Sequence, residues 1–165
     1  MNLDIQPATL ADKTILRHMW ELYLYDFSEF TGEDLNPNGL FETHYFDLYW
    51  LEEDRRFPFL FRVDGNLAGF AFVRLADDPD GRALRHISEF FIMRKYRGKG
   101  LGEQAARFMF DRFPGAWSVR QIAANQPARA FWRRVIERYT GGDYSETRAD
   151  GDSVQHFNNS GATNV

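Results

Sequence analysis

Glu89-Phe90-Phe91-Ile92-Met93-Arg94-Lys95-Tyr96-Arg97-Gly98-Lys99-Gly100-Leu101-Gly102 reads as an apolar strand running into a basic, glycine-rich turn. Past the turn, Leu101, Ala105, Phe108 and Met109 recur at three- and four-residue spacing, the period of one helix face. A helix that opens this way aims unpaired backbone N–H groups at whatever lies above its N-terminus. Glycine at 98, 100 and 102 leaves no Cβ to block close approach and permits positive φ where the turn needs it. Arg94, Lys95, Arg97 and Lys99 add charge to the same place. The chemistry this favours is a bound phosphate or pyrophosphate.

Spacing excludes two common phosphate loops. A Walker A loop ends in Gly-Lys-Ser/Thr, whereas Gly98-Lys99 is followed by Gly100, with no hydroxyl for magnesium. A dinucleotide fingerprint counted from Gly98 and Gly100 would need glycine or alanine where Glu103 stands, and that carboxylate would repel a pyrophosphate. What remains is R-x-x-G-x-G, read as Arg97, Gly100 and Gly102. Taken alone, it could equally be a strand-to-helix turn that uses glycine for its geometry.

A chain of 165 residues suffices for one domain with a substantial core, here expected to be 1–165 as a single unit with a frayed tail over 158–165. The 44% hydrophobic and 16% aromatic content point to a globular protein with heavy ring packing. Having 0 cysteines, it forms no disulfide, thiolate metal site or acyl-cysteine intermediate. The sequence shows neither a membrane-length apolar run nor a basic-then-apolar leader, so a cytoplasmic location without membrane partners is the default expectation. A net charge of −4 argues against bulk nucleic-acid binding. Its distribution is uneven. From Glu21 to Asp54 there is no Lys or Arg among many acids, and the balance reverses between Arg94 and Arg112. Such asymmetry suits one cationic and one polyphosphate substrate, although solvated helix faces would read the same way.

Along the chain, Leu3 to Gln6 is a first strand ended by Pro7, and Thr9-Leu10-Ala11-Asp12 is a capping-box variant. The helix it opens carries Leu16, Trp20, Tyr23 and Phe27 on one stripe and ends near Phe30. A loop over Glu33 to Gly39 leads to a second, aromatic-rich helix around Leu40 to Glu53. Strands follow at Phe57 to Val63 and Leu67 to Leu75, joined by a hairpin at Asp64-Gly65-Asn66, and then at Ala83 to Met93. After the glycine-loop helix come a strand at Ala116 to Ala123 and a helix opened by Asn125-Gln126-Pro127 and closed by Gly141-Gly142. Tyr144 to Arg148 and Ser153 to Phe157 are two closing strands.

This order, the R-x-x-G-x-G loop and a second segment, Asn125-Gln126-Pro127-Ala128-Arg129-Ala130-Phe131-Trp132, together resemble the GNAT superfamily of N-acetyltransferases along nearly the whole chain. The resemblance implies an α/β (α+β mixed) GNAT fold: a central, mostly antiparallel sheet of six to seven strands, two splayed parallel central strands and about four helices. It implies acetyl-CoA as co-substrate and no metal. Backbone groups of Phe91, Ile92 and Met93 would bind the pantetheine and thioester. Those of Arg97, Gly98, Lys99, Gly100, Leu101 and Gly102 would bind the pyrophosphate, with Asn125 positioning the arm. Trp132 would be a channel wall or, the favoured reading, a helix-packing residue.

The implied reaction is acetyl transfer to a primary amine, of a small molecule or a peptide N-terminus, by direct attack in a ternary complex. An alkylamine of pKa ~10.4 must first lose a proton, at a cost of roughly 4–5 kcal/mol at pH 7. Glu89, just upstream of the thioester position, is the candidate base, with an ion pair or an outward-facing sheet residue as the other reading. Asp26 and Glu29 are candidate ammonium binders. The strand also looks like that of spermidine/spermine acetyltransferase, whose base falls at the position of Ser88, which counts against polyamine specificity. Where many family members place a tyrosine as general acid this chain has Trp132, so Tyr139 or Tyr144 takes the role or the thiolate leaves unassisted. That departure keeps open a silent acyl-CoA-binding or sensing module. Sheet edges of such folds allow a homodimer. His18, His44, His86 and His156 show no metal-ligand spacing, although His86 could join a relay with Ser88 and Glu89.

Overall fold

The first helix starts from the Thr9–Asp12 pair: the Asp12 carboxylate accepts both the backbone N–H and the hydroxyl of Thr9, each at 2.9 Å. A 3-10 turn over Leu10–Asp12 then passes into α1 (Lys13–Thr31), which Gly32 closes in the left-handed region at φ 72. The computed structural model describes residues 1–161. Its strands are β1 (Leu3–Pro7), β2 (Arg56–Val63), β3 (Asn66–Asp77), β4 (Ala83–Ile92), β5 (Ala116–Gln121), β6 (Ser145–Ala149) and β7 (Asp152–Asn158). The other helices are α2 (Leu101–Arg112) and α3 (Gln126–Thr140).

The seven strands form one sheet in the order β1-β2-β3-β4-β5-β7-β6. β1–β2, β5–β7 and β6–β7 pair antiparallel. β4 and β5 are parallel, and their register runs only from Leu84↔Ala116 to His86↔Ser118, although both strands continue beyond it. Two hairpin turns have positive φ at both central residues: Asp64 (49°) with Gly65 (81°), and Asp150 (54°) with Gly151 (89°). That is the type I′ geometry that matches strand twist.

The backbone divides into two compact units, Met1–Phe72 with Glu89–Met93, and Val73–Ser88 with Arg94–Val165. In the first, Leu16, Met19 and Trp20 of α1 bury against Leu60, Phe70, Phe72 and Phe91. Trp20 lies 5.2 Å from Phe72 and 5.8 Å from Phe70, both stacked, with Phe46 edge-on at 5.3 Å. A Cβ on Gly69 would come within 2.1 Å of the Phe91 carbonyl oxygen, so β3 tolerates no side chain there. Gly69→Ala is expected to destabilise the protein by about 1–3 kcal/mol, the usual cost of overpacking. A urea midpoint unchanged by that substitution would contradict so close an approach.

In the second unit, α2 and α3 pack through Phe110 and Trp132, with Trp117 of β5 and Phe157 of β7 against Phe110 at 5.0 and 4.9 Å. Glu103, the residue that rules out the dinucleotide fingerprint, is paired with Arg107 (3.4 Å) and with Arg138 of α3 (3.0 Å).

One expectation needs correction. The predicted second helix around Leu40 to Glu53 is absent; only Phe46–Trp50 is helical, as a 3-10 segment. Phe46 and Tyr49, three apart, are both buried, a spacing that matches the three-residue turn of a 3-10 helix. Upstream, the Glu21 carboxylate accepts the Phe41 N–H (3.1 Å), so tertiary contacts hold Phe41 in a run of poor helix formers. The tail expected to fray over 158–165 begins with two hydrogen bonds. Asn159 accepts from the Gly115 N–H at 2.7 Å and donates to the Phe110 carbonyl at 2.8 Å. Residues 162–165 of that tail lie outside the described residues.

Candidate active site

Strand alternation puts Ile87, Glu89 and Phe91 on one face of β4, and all three are buried. The Phe91 ring lies 6.0 Å from that of Tyr23, which identifies this as the face covered by α1. Glu89, 7% exposed, sits among rings, with no cationic partner among the described residues. Its carboxylate accepts a hydrogen bond from the Tyr23 hydroxyl on Oε2 (2.5 Å) and another from the Tyr45 hydroxyl on Oε1. Glu89 is thus neither ion-paired to a described residue nor outward-facing.

Burial raises the Glu89 carboxyl from its ordinary 4.5 to about 7, while the two phenol hydrogen bonds pull the other way and only partly offset it. Both tyrosines are themselves pushed up, first by burial and next by the Glu89 charge. The result is a carboxyl that exchanges its proton near neutrality, held by two phenols that remain protonated there. A base for an amine needs that property.

The tyrosines are the residues that the sequence did not single out for this site. Tyr23 was visible as a member of the α1 stripe, and Tyr45 only as part of an aromatic run. Neither position carries a local mark of a partner 66 or 44 residues away. Ser88 and His86 lie on the opposite face of β4 by the same alternation, so they do not join Glu89 in a relay. Burial, followed by the charges of Arg74 and His156, lowers His86 to about 4, leaving it neutral. On α1, Asp26 stands half-buried and Glu29 exposed, toward the C-terminal end of the helix.

Arg94–Tyr96 makes a 3-10 turn, Gly98 and Gly100 take φ of 72° and 76°, and Gly100 caps α2 without any side-chain bond. A Cβ on Gly98 would meet nothing within 4 Å, and one on Gly100 only Gln104 Nε2 at 4.0 Å. There is open space beside these glycines, and the 12-residue helix α2 starts without a side-chain cap, which leaves its first backbone N–H groups without intrahelical partners. Arg94, Lys95, Arg97, Gly98, Lys99 and Gly100 border this turn, Leu101 is buried, and Gly102 lies inside α2.

Other predicted residues have engagements of their own. The Met93 N–H donates to the Ala68 carbonyl (2.8 Å), which leaves its carbonyl as the backbone group for a ligand. Asn125 caps α3, its Oδ1 accepting from the Ala128 N–H at 3.0 Å, so the amide nitrogen is the group left for a ligand. Trp132 is buried beside Phe110 and Phe131. Tyr139 donates to Asp111 (2.7 Å) at the far end of α2, about 15 Å along the helix from Leu101 at 1.5 Å per residue. Tyr144 stands half-buried between Gly142 and β6. Among the described residues, no group of three or more His, Asp or Glu could hold a metal ion, and no helix is long and apolar enough to cross a membrane.

A model of the acetyltransferase (GNAT) family matches residues 16–136. Among solved structures, the chain is similar to an acetyltransferase from Thermus thermophilus, with 21% identity, TM-score 0.66, and 94% of this chain and 95% of that one covered. It is also similar to the PaiA N-acetyltransferase of Thermoplasma acidophilum in complex with coenzyme A, at 11% identity, TM-score 0.61 and coverage of 96% and 99%. A third is Arabidopsis thaliana NAA60 in complex with a bisubstrate analogue, at 15% identity, TM-score 0.60 and coverage of 94% and 96%. At these identities the likeness is one of fold.

Proposed function

Because the chain belongs to the GNAT acetyltransferase family, whose model matches residues 16–136, we propose that it is an acetyl-CoA-dependent N-acetyltransferase acting on a primary amine. The observation that carries this reading is the buried Glu89 carboxyl, poised near 7 and five positions upstream of the basic glycine loop. Acetyl-CoA, when bound, supplies the activated thioester carbonyl. Backbone N–H groups from Arg97 to Gly102 hold the pyrophosphate, helped by Lys99 and its neighbouring cations. The backbone over Phe91 to Met93 lines the pantetheine arm, and the Asn125 amide nitrogen steadies it.

Glu89 is the general base. The amine reacts with the thioester directly, in a ternary complex, since the chain has 0 cysteines to carry the acetyl group. Asp26 and Glu29 on α1 offer negative charge to the incoming ammonium. The acceptor is a small-molecule amine or a peptide N-terminus. Tyr144 is the better of the two candidate acids, because Tyr139 is committed to Asp111 at the far end of α2.

The test is free-thiol release from acetyl-CoA against a panel of small amines and peptides. Acetylated product with matching thiol release is expected for at least one amine class. Acetyl-CoA binding without turnover on any amine would instead favour the silent acyl-CoA-binding module that Trp132, standing in place of the usual tyrosine, leaves open.

A further inference from the structure

We infer that Tyr45 is a catalytic residue: its hydroxyl carries the proton from the acceptor amine to Glu89 Oε1. The inference rests on the reading of Glu89 as base. Each carboxylate oxygen of Glu89 accepts one phenol hydrogen bond, Oε2 from Tyr23 and Oε1 from Tyr45. Glu89 itself is only 7% exposed, and of the three groups the Tyr45 phenol is the most open to an incoming amine. The two phenols differ in access. Tyr23 is enclosed by the rings of Trp20, Phe27, Phe70 and Phe91, all within 6.0 Å. Tyr45 is 40% exposed and comes from the irregular segment ahead of the 3-10 turn.

A hydroxyl that donates to a carboxylate keeps two lone pairs for accepting. Tyr45 can therefore take an N–H proton on its outer side while handing its own to Glu89. The phenol is pushed well above its ordinary value by burial and by Glu89, with Tyr49 and Glu33 adding in the same direction, so a free phenolate does not accumulate. The two transfers must then occur in one event.

The proton count closes. The ammonium gives one proton through Tyr45 to Glu89. The nitrogen lone pair forms the C–N bond as the C–S bond breaks, and the second nitrogen proton replaces the one that the departing sulfur takes from the acid. Glu89 later returns its proton to solvent by the reverse path.

The experiment is single-turnover thiol release, enzyme in excess over acetyl-CoA, in mixtures of light and heavy water. Wild type is expected to show a bowed dependence on deuterium fraction, the mark of two protons in flight. Tyr45→Phe should lose about 100-fold or more in rate, the low end of what a positioned proton-transfer group supplies. It should also become linear in deuterium fraction and keep its stabilisation by acetyl-CoA. A linear wild-type dependence overturns the relay without requiring any variant to fold. So does a Tyr45→Phe rate within about twofold of wild type; if Glu89→Gln is then inactive the base survives, and if Glu89→Gln is also active the base falls too.

Discussion

Glu89→Gln lowers kcat by about 10²–10⁴, the range that a positioned general base supplies, and leaves the Michaelis constant for acetyl-CoA nearly unchanged. The amide is close in size to the carboxyl and can still meet Tyr23 and Tyr45, so the loss reports chemistry more than packing. In the wild type, activity should climb as pH rises through about 7, because only the ionised carboxyl can accept a proton. In the variant this limb should vanish. A Gln variant with the full rate across pH would remove Glu89 from the mechanism.

The same substitution has a thermodynamic signature of definite sign. With the folded value raised from 4.5 to about 7, the folded state binds more protons than the unfolded state between those limits. The contribution of Glu89 to stability is thus most favourable below pH 4.5 and declines as pH rises to about 7. At about 1.4 kcal/mol per pH unit, the decline amounts to about 3 kcal/mol. Asp12, Glu146 and Asp152, whose carboxyls are lowered by hydrogen bonds and charge from their partners, contribute in the opposite direction. They are common to both proteins, so the difference between wild type and Glu89→Gln isolates Glu89. Urea titrations at about pH 5 and about pH 7.5, on either side of most of that decline, should show the variant gaining relative to wild type at the higher pH.

Gly100→Glu abolishes stabilisation by acetyl-CoA. At a hundredfold excess over the dissociation constant, wild type should gain about 2.7 kcal/mol, visible as a raised melting temperature. Gly100 sits at φ 76, where any side chain is strained, and a carboxylate there places negative charge at the start of α2. For the free protein these effects partly cancel, since a negative charge favours a helix N-terminus while the left-handed backbone costs about 1–2 kcal/mol. For a bound pyrophosphate both are adverse. A melting shift equal to that of wild type would reject the loop as the diphosphate site.

The elements that the sequence located best are those written in neighbouring residues. Gly98 and Gly100 take the positive φ that glycine permits, α2 starts at Leu101, and Gly141 ends α3. The β2–β3 hairpin follows from Asp64-Gly65 in the same way. By contrast, the segment from Leu40 to Glu53 looked helical because its aromatic content was visible while its contacts were not. Its buried rings belong to a core assembled with α1 and β3, and that core, rather than helix propensity, sets the local conformation.

The site divides along the same line. From the amino-acid order alone came the family, the glycine loop and a strand carboxyl worth watching at position 89. Only the tertiary structure decided what that carboxyl is. Chain folding brings Tyr23 and Tyr45 to it from 66 and 44 positions away and removes its water, and the raised proton affinity follows from that removal. Backbone geometry depends on adjacent residues and can be read locally, whereas desolvation is a property of everything packed around a group.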